Sequence, residues 1–387
     1  REQGTDRGAK VALLRLALAE IRRAKLRFGM LIGAVALLVF LILFQQTLAA
    51  GLLGSFTGGL ENQSAEVLVF NADARGAVEG SVVTPDHVRA VAAVEGVARA
   101  EPFGEATLTA DVGDLVDTTV FGYVLGGPGE PTTLVEGRLP ERDGEAVASD
   151  VDADAGFGIG EKVRIVPGDV PIEIVGLASD AQFSVQPTVY TSYGTYEQLV
   201  MAANPQAPSV LPTLVAVQPE PGVDPEALAT SIDDAVDGVD ARDVATAVAN
   251  LPGVGSITQS FVVILLLAFI VVVLVTWVFF LILTVQKTSS LTLLRAVGAS
   301  TWFLLANIAV QVSIVALAGS AVAAGLLWIA TREGSGGLDV TADPNLILRT
   351  GAVILVLALL SSVASMRRVA RLDPAAATLP QAGGGLA

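Results

Sequence analysis

Polar and apolar positions divide this chain into two regimes. Four long runs carry no charged residue, at 28–60, 244–286, 296–331 and 350–366, while the stretch between the first two alternates short apolar segments with turns and acids. A helix needs about 20 apolar residues to cross the hydrocarbon core of a bilayer. The runs therefore predict four membrane spans, at 28–51 (extendable outward as a stalk), 257–285, 301–330 and 345–366. The fourth is the shortest. Arg349 near its start can snorkel to the headgroups, and Asp343-Pro344 offers an N-cap followed by proline at the first helical position.

Between Glu61 and Val254 the pattern changes to short β-type segments. "AEVLVF" (65–70), "EATLTA" (105–110), "DTTVFGYVL" (117–125), "EKVRIV" (161–166), "VPIEIVGLA" (170–178) and "PTLVAVQ" (212–218) read as strands. "TPDHVRAVAAVEGV" predicts a helix opened by Thr84 and Pro85 and closed at Gly96. "DPEALATSIDDAV" and "ARDVATAVANL" predict two more. "GGPGEPTT" (126–133) reads as a surface loop at the boundary between two lobes. The expected fold is an α-helical membrane protein with four transmembrane helices plus a large extracytoplasmic α+β domain, residues 52–256, inserted between the first and second spans.

Charge supplies the orientation. Eight Lys/Arg against three acids precede the first span. The 286–300 loop has Lys287 and Arg295 and no acid, and Arg367, Arg368 and Arg371 face only Asp373 in the 367–387 tail. The 331–344 loop is instead acidic. By the positive-inside rule both termini and the 286–300 loop are cytoplasmic, in a bacterial or archaeal cytoplasmic membrane. A basic start, an apolar run and "LAA" also fit a secretory signal. The run is too long for a typical signal core, and its removal would leave three spans and put the basic tail outside.

The outer segment holds 32 Asp/Glu against 8 Lys/Arg, a net of −24 beside −16 for the whole chain. Such acidity keeps it soluble and argues against nucleic acid or anionic lipid as partners of that face. With no cysteine there is neither a disulfide framework nor thiolate chemistry.

Catalytic motifs are missing. No G-x-x-x-x-G-K-[ST] is present, so the chain has no phosphate-cradling loop of its own. His87 is the single histidine, which excludes a His/Cys zinc site, and it lies in a surface helix without a nucleophile elbow. Asp150, Asp152 and Asp154 alternate like part of a calcium loop, but the glycine and distal glutamate of an EF-hand do not follow in register. The expectation is a non-enzyme with no metal and no cofactor bound by this chain. Within the spans, Asn307 with Gln311, Ser361 with Ser365, and the small residues Ala316, Gly319, Ser320, Ala323 and Ala324 mark faces for helix packing. Gln45 and Gln46 lie near the outer interface, and no ionisable residue sits mid-membrane to couple transport to ions.

The cytoplasmic segments are more telling. "VALLRLALAEIRRAKLRFGM" (11–30) predicts an amphipathic helix on the inner membrane surface, with Arg22, Arg23, Lys25 and Arg27 on lipid headgroups. In "SSLTLLRAVGAS" (289–300) Leu291, Leu294 and Val297 lie three apart and Leu293 and Val297 four apart. This gives one apolar stripe, with Gly298 placed to end the helix and Ser300 to cap the next. Ten residues make a marginal helix alone, so the stripe calls for cover by the bilayer interface or by a cytoplasmic protein.

Taken together, "EIRRAKLRF", "LLRAVGAS", the tail "RRVARLDPAAA" and the span order resemble the FtsX-like, or MacB-type, permease subunits of ABC transporters. "LLRAVGAS" is similar to the family's "LLRALGAS". The resemblance implies that 289–298 is a coupling helix docking into a separate cytoplasmic ABC ATPase, which would hold ATP and Mg. Leu291, Leu293, Leu294, Arg295, Val297 and Gly298 would make the contact. It also implies a second permease copy, as a homodimer. Upstream, "VQKTSSLT" is less charged than the family's usual pattern, implying fewer polar contacts. "KLRFGMLIGAVALLVFLILFQQTL" looks most like the DevC and haem-exporter branch. Haem would enter only as a substrate, with Met30, Met201, Met366, His87 and the tyrosines as candidate ligands, none marked by spacing. The implied function is export of a hydrophobic or amphiphilic substrate such as a lipid, haem, a peptide or a drug. The alternative is a non-transporting mechanotransmitter that activates an envelope enzyme.

Overall fold

The computed structural model describes residues 19–286, 301–331 and 343–370. These form two compact units, one from the chain up to Leu48 and from Phe261 onward, the other from Ala49–Ser260. The helices are α1 (Lys25–Glu61), α2 (Pro85–Ala92), α3 (Tyr193–Ala203), α4 (Pro225–Ala235), α5 (Val244–Ala249), α6 (Val254–Gln286), α7 (Thr301–Ala330) and α8 (Pro344–Ala370). The strands are β1 (Val67–Asn71), β2 (Val97–Asp111), β3 (Leu115–Tyr123), β4 (Leu134–Gly137), β5 (Glu145–Ser149), β6 (Lys162–Val166), β7 (Val170–Ala178), β8 (Thr188–Ser192), β9 (Leu214–Pro219) and β10 (Val239–Asp243).

The membrane unit gathers α1, α6, α7 and α8, each long and apolar enough to span a bilayer. Its core joins Val35, Val39 and Ile42 of α1 to Val312 and Val315 of α7 and Ile354 of α8. The small residues of α7 allow close approach. A Cβ on Gly319 would meet Val35 Cγ1 at 2.8 Å, and Ala316 and Ala323 are buried beside it.

The outer unit is built on one ten-stranded mixed sheet, ordered β10-β1-β9-β2-β3-β8-β5-β7-β4, with β6 bridging β2 and β7. β2 carries two lobes. Its first half, Val97–Phe103, pairs with β9, and its second half, from Gly104, pairs with β3 and then β6. In the first lobe α2 and α4 cover Val67, Val69, Val215 and Val217. In the second, α3 lays Tyr196 directly over Gly104 and Gly122, where an added Cβ would fall 2.2 Å from the ring and 2.3 Å from the Tyr196 Cβ respectively. Between the lobes, Phe121 stands 5.2 Å from Phe103, 5.3 Å from Phe183 and 5.2 Å from Tyr190, centroid to centroid.

Local signals succeed in part. Thr84 caps α2 ahead of Pro85 as expected, but the helix stops at Ala92 rather than Gly96. The helix expected over "ARDVATAVANL" is split. Residues through Asp243 form β10, paired with β1, and Asp243 then caps the short α5. Cross-strand pairing here overrides alanine's helix propensity. The 126–133 loop also departs from expectation, because Gly127, Pro128 and Gly129 are buried. A Cβ on Gly129 would lie 2.6 Å from the Phe103 ring, and Ser64 N–H donates to Glu130 O at 2.9 Å. The lobes meet along β2, not at this loop.

Candidate coupling elements and a stalk clamp

The inner-loop residues Leu291, Leu293, Leu294, Arg295, Val297 and Gly298 lie outside the described residues. The basic segment before the first span is described from residue 19. It is helical over 19–23, turns at Ala24 and enters α1, with Phe28 N–H donating to Ala24 O at 3.1 Å. Arg22, Arg23, Lys25 and Arg27 are all exposed, while Ile21, Ala24 and Phe28 face the core. That division of faces is what a cationic helix against headgroups requires.

Polar residues of the spans pair helix to helix. Gln311 donates to the Glu20 carboxylate, and Asn307 Nδ2 lies 3.5 Å from the same oxygen. Gln45 donates to Phe261 O at 3.2 Å, and Thr350 donates to Gln46 Oε1 at 2.8 Å. Ser361 instead bonds its own helix, at Ala358 O. His87 is used up in a capping box with Thr84. Met30, Met201 and His87 stand on α1, α3 and α2 respectively, and the side chain of Met366 is outside the described set.

The most elaborate construction surrounds the C-terminal end of α1, within the outer unit. The Gly59 N–H donates to Gln182 O at 2.6 Å. In a regular helix Gly59 would pair with Ser55 O, yet that carbonyl accepts from Val185 N at 2.9 Å, and Phe56 O accepts from Ser184 N at 3.1 Å. The 180–185 loop thus enters the helix's own hydrogen-bond ladder. Tyr190 OH donates to Gly59 O at 2.5 Å and Asn62 Nδ2 to Asp180 O at 2.8 Å.

Glycine is required here. A Cβ on Gly58 would come 2.4 Å from Asp180 O, and one on Gly59 would come 2.9 Å from the Phe121 ring. The loop holds Asp180, Ser184 and Val185 at φ 49, 54 and 57°, and a β-branched residue in that region is strained. Its bonds to α1 hold it there. No sequence motif announced this loop, though "TGGLE" at the end of an overlong apolar run was a usable signal.

Three buried carboxylates carry the electrostatics of the outer unit. Glu145 accepts from Arg138 at 2.6 and 2.8 Å, from Arg142 at 2.8 Å and from Glu141 N at 3.0 Å. The Arg138 hydrogen bonds, then the Glu141 amide, hold its carboxyl down to about 2. Glu105, at the point where β2 passes between lobes, is 6% exposed, and its Oε1 has no partner. Burial, then the charge of Glu79, pushes it up to about 7. Asp152 is also pushed up, to about 6, chiefly by burial, despite a hydrogen bond from Gln182. Among the described residues no three His, Asp or Glu side chains gather to hold a metal. Nothing in these groups assembles a nucleophile with a base; the arrangement fastens a helix to a domain.

Known proteins resemble this chain in both of its units. Residues 28–235 match the MacB-like periplasmic core domain and residues 262–374 match the FtsX-like permease C-terminal domain. An uncharacterized ABC transporter permease of Mycobacterium tuberculosis is 26% identical over 94% of this chain and 99% of its own length. A similar permease of Mycobacterium bovis is 25% identical over 94% and 99%. A Staphylococcus epidermidis permease whose name assigns it to hemin transport is 26% identical over 25% of this chain and 27% of its own. The periplasmic region of MacB from Actinobacillus actinomycetemcomitans covers 49% of this chain and 92% of its own at a TM-score of 0.36 and 14% identity.

Proposed function

The chain belongs to the MacB/FtsX-type family of ABC transporter permeases, and from that premise we propose that it exports a hydrophobic or amphiphilic substrate by turning ATP hydrolysis on a separate subunit into movement of its outer domain. The observation that carries this reading is α1, unbroken from Lys25 to Glu61 and fastened at its far end by main-chain bonds to the 180–185 loop. Movement imposed on such a helix passes to the domain it is bonded into. Side-chain contacts alone would allow slip.

In this reading residues 289–298 dock on the ATPase through Leu291, Leu293, Leu294, Arg295, Val297 and Gly298, from the cytoplasmic side. Arg22, Arg23, Lys25 and Arg27 rest on lipid headgroups. A second copy pairs along α6, which leaves Leu266, Leu267, Ile270 and Leu274 more than half exposed. Lipid, haem, peptide and drug all fit the substrate class, and the hemin-transport name of one partial relative adds weight to haem. The test is reconstitution with the cognate ATPase. Amphiphiles should change ATP turnover, and Leu294→Asp should abolish association with the ATPase. The clamp serves a second reading equally well, in which the outer domain activates an envelope enzyme. That reading prevails if no amphiphile alters turnover and the outer domain retains a stoichiometric hydrolase.

A further inference from the structure

The helical segment before the first span is tied to α7 by a buried polar joint. Glu20 extends its carboxylate from residues 19–23 to α7, where Gln311 donates to it and Asn307 Nδ2 lies 3.5 Å from the same oxygen. Asn307 is only 6% exposed and Gln311 4%. The asparagine's orientation follows from its partner. Turned over, it would point its oxygen at a carboxylate oxygen, so Nδ2 faces Glu20 and Oδ1 is the atom left without a hydrogen bond.

The joint lies deeper than a surface helix requires. Gln311 falls inside the part of α7 apolar enough to span a bilayer, Ala306–Ala330, and stands roughly 15 Å along the helix from Thr301. An acid carried to that depth is costly unless donors receive it, and ionisable groups there mark functional positions. Packing alone would be met by an apolar residue at position 20, as it is at Ile21, Ala24 and Phe28.

The place of the joint in the chain gives it a use. α7 begins at Thr301, directly after the 286–300 loop, and Asn307 and Gln311 follow on its early turns. Glu20 in turn reaches α1 with no loop between. Ala24 N–H donates to Glu20 O and Phe28 N–H to Ala24 O, both at 3.1 Å, so helical bonding carries across the turn at Ala24. Apolar packing of α7 on α1, as at Gly319 and Val35, permits sliding, whereas hydrogen bonds to a carboxylate fix direction. Resting on the function proposed above, in which the inner loop docks on an ATPase, we propose that Glu20 is the positioning residue that passes movement of α7 to α1. The path then runs from the inner loop through α7, Gln311 and Glu20 into α1, and along α1 to the clamp.

The experiment uses the full chain with its cognate ATPase in lipid nanodiscs, with spin labels at exposed Glu161 of two copies or at exposed Ala19. ATP should shift the Glu161 distances in the unmutated complex. Glu20→Ala should keep the ATPase bound and hydrolysing, lose that shift and leave the Ala19 label more mobile. Gln311→Leu, apolar in an apolar span, removes the donor instead and should give the same result, which keeps the test decisive if Glu20→Ala folds poorly. Exchanging the partners, Glu20→Gln with Gln311→Glu, re-forms the bond with donor and acceptor reversed and should restore the shift. The inference alone is overturned, with the proposed function left standing, if either folded single variant shifts as far as the unmutated complex. It is equally overturned if both single variants lose the ATPase, or if the exchange restores nothing. An unmutated complex that shows no shift overturns the proposed function as well.

Discussion

Helices α1 and α6 are both long, apolar and free of charge through their centres, yet the fold uses them in opposite ways. The most apolar window of α1 is 39% buried and that of α6 only 11%. α1 sits inside the packing of the membrane unit and ends in a clamp where even a methyl group has no room. α6 keeps most of its leucines and valines exposed and shares with α8 an apolar groove lined by Phe269, Trp277 and Val353. Hydropathy cannot tell these helices apart, since lipid and protein both accept leucine. The difference lies in what each helix is bonded to.

The sharpest way to break this contrast is to crowd the clamp. Gly59→Val forces a side chain against Phe121, the Ala181 carbonyl and Tyr190. Overpacking of this kind costs about 3 kcal/mol, which should lower the outer domain's melting temperature by roughly 10 °C. Differential scanning fluorimetry of the detergent-solubilised chain reads it. A smaller loss, about 2 kcal/mol, is expected for Glu145→Gln, which weakens the bonds to Arg138 and Arg142. Because the carboxyl is held at about 2, its contribution is complete above an unfolded value near 4.5 and is lost as pH falls toward 2. The variant should therefore show a flatter acid limb than the unmutated chain, followed by circular dichroism between pH 5 and 2.

Glu105 works in the other direction. Its carboxyl is raised to about 7, so the folded state holds the proton more tightly than the unfolded chain. That stabilisation is full below about 4.5 and is lost as pH rises through 7. Glu105→Gln should melt close to the unmutated chain at pH 5 and above it at pH 8. The smallest effect belongs to α6. Leu266→Ala, on its exposed face, should change the stability of the isolated chain by no more than about 0.5 kcal/mol, read from its melting temperature. A large loss there would mean that α6 is packed within its own chain, and the contrast with α1 would fail.

Sequence patterning made the architecture readable, but not its joints. Four uncharged runs announced four helices, and Thr84-Pro85 announced α2, because span length and capping are local properties. β5, "EAVAS", and β8, "TVYTS", escaped notice since every residue of both is buried, which erases the alternation that marks a strand with one wet face. β10 is a polar edge strand whose alanine-bearing sequence favours a helix until β1 pairs with it. The clamp was hidden for a related reason. It depends on main-chain atoms of residues 180–185, and these carry no side-chain signature. Only the two glycines opposite left a trace.

In the proposed function, ATP bound by a partner moves the outer domain through α1. The direct measurement is the distance between spin labels placed at exposed Glu161 of two copies, in lipid nanodiscs with the ATPase, before and after ATP. The distance distribution should shift for the unmutated complex and stay unchanged for Leu294→Asp. An unmutated complex that hydrolyses ATP while its distances stay fixed would contradict the proposed function.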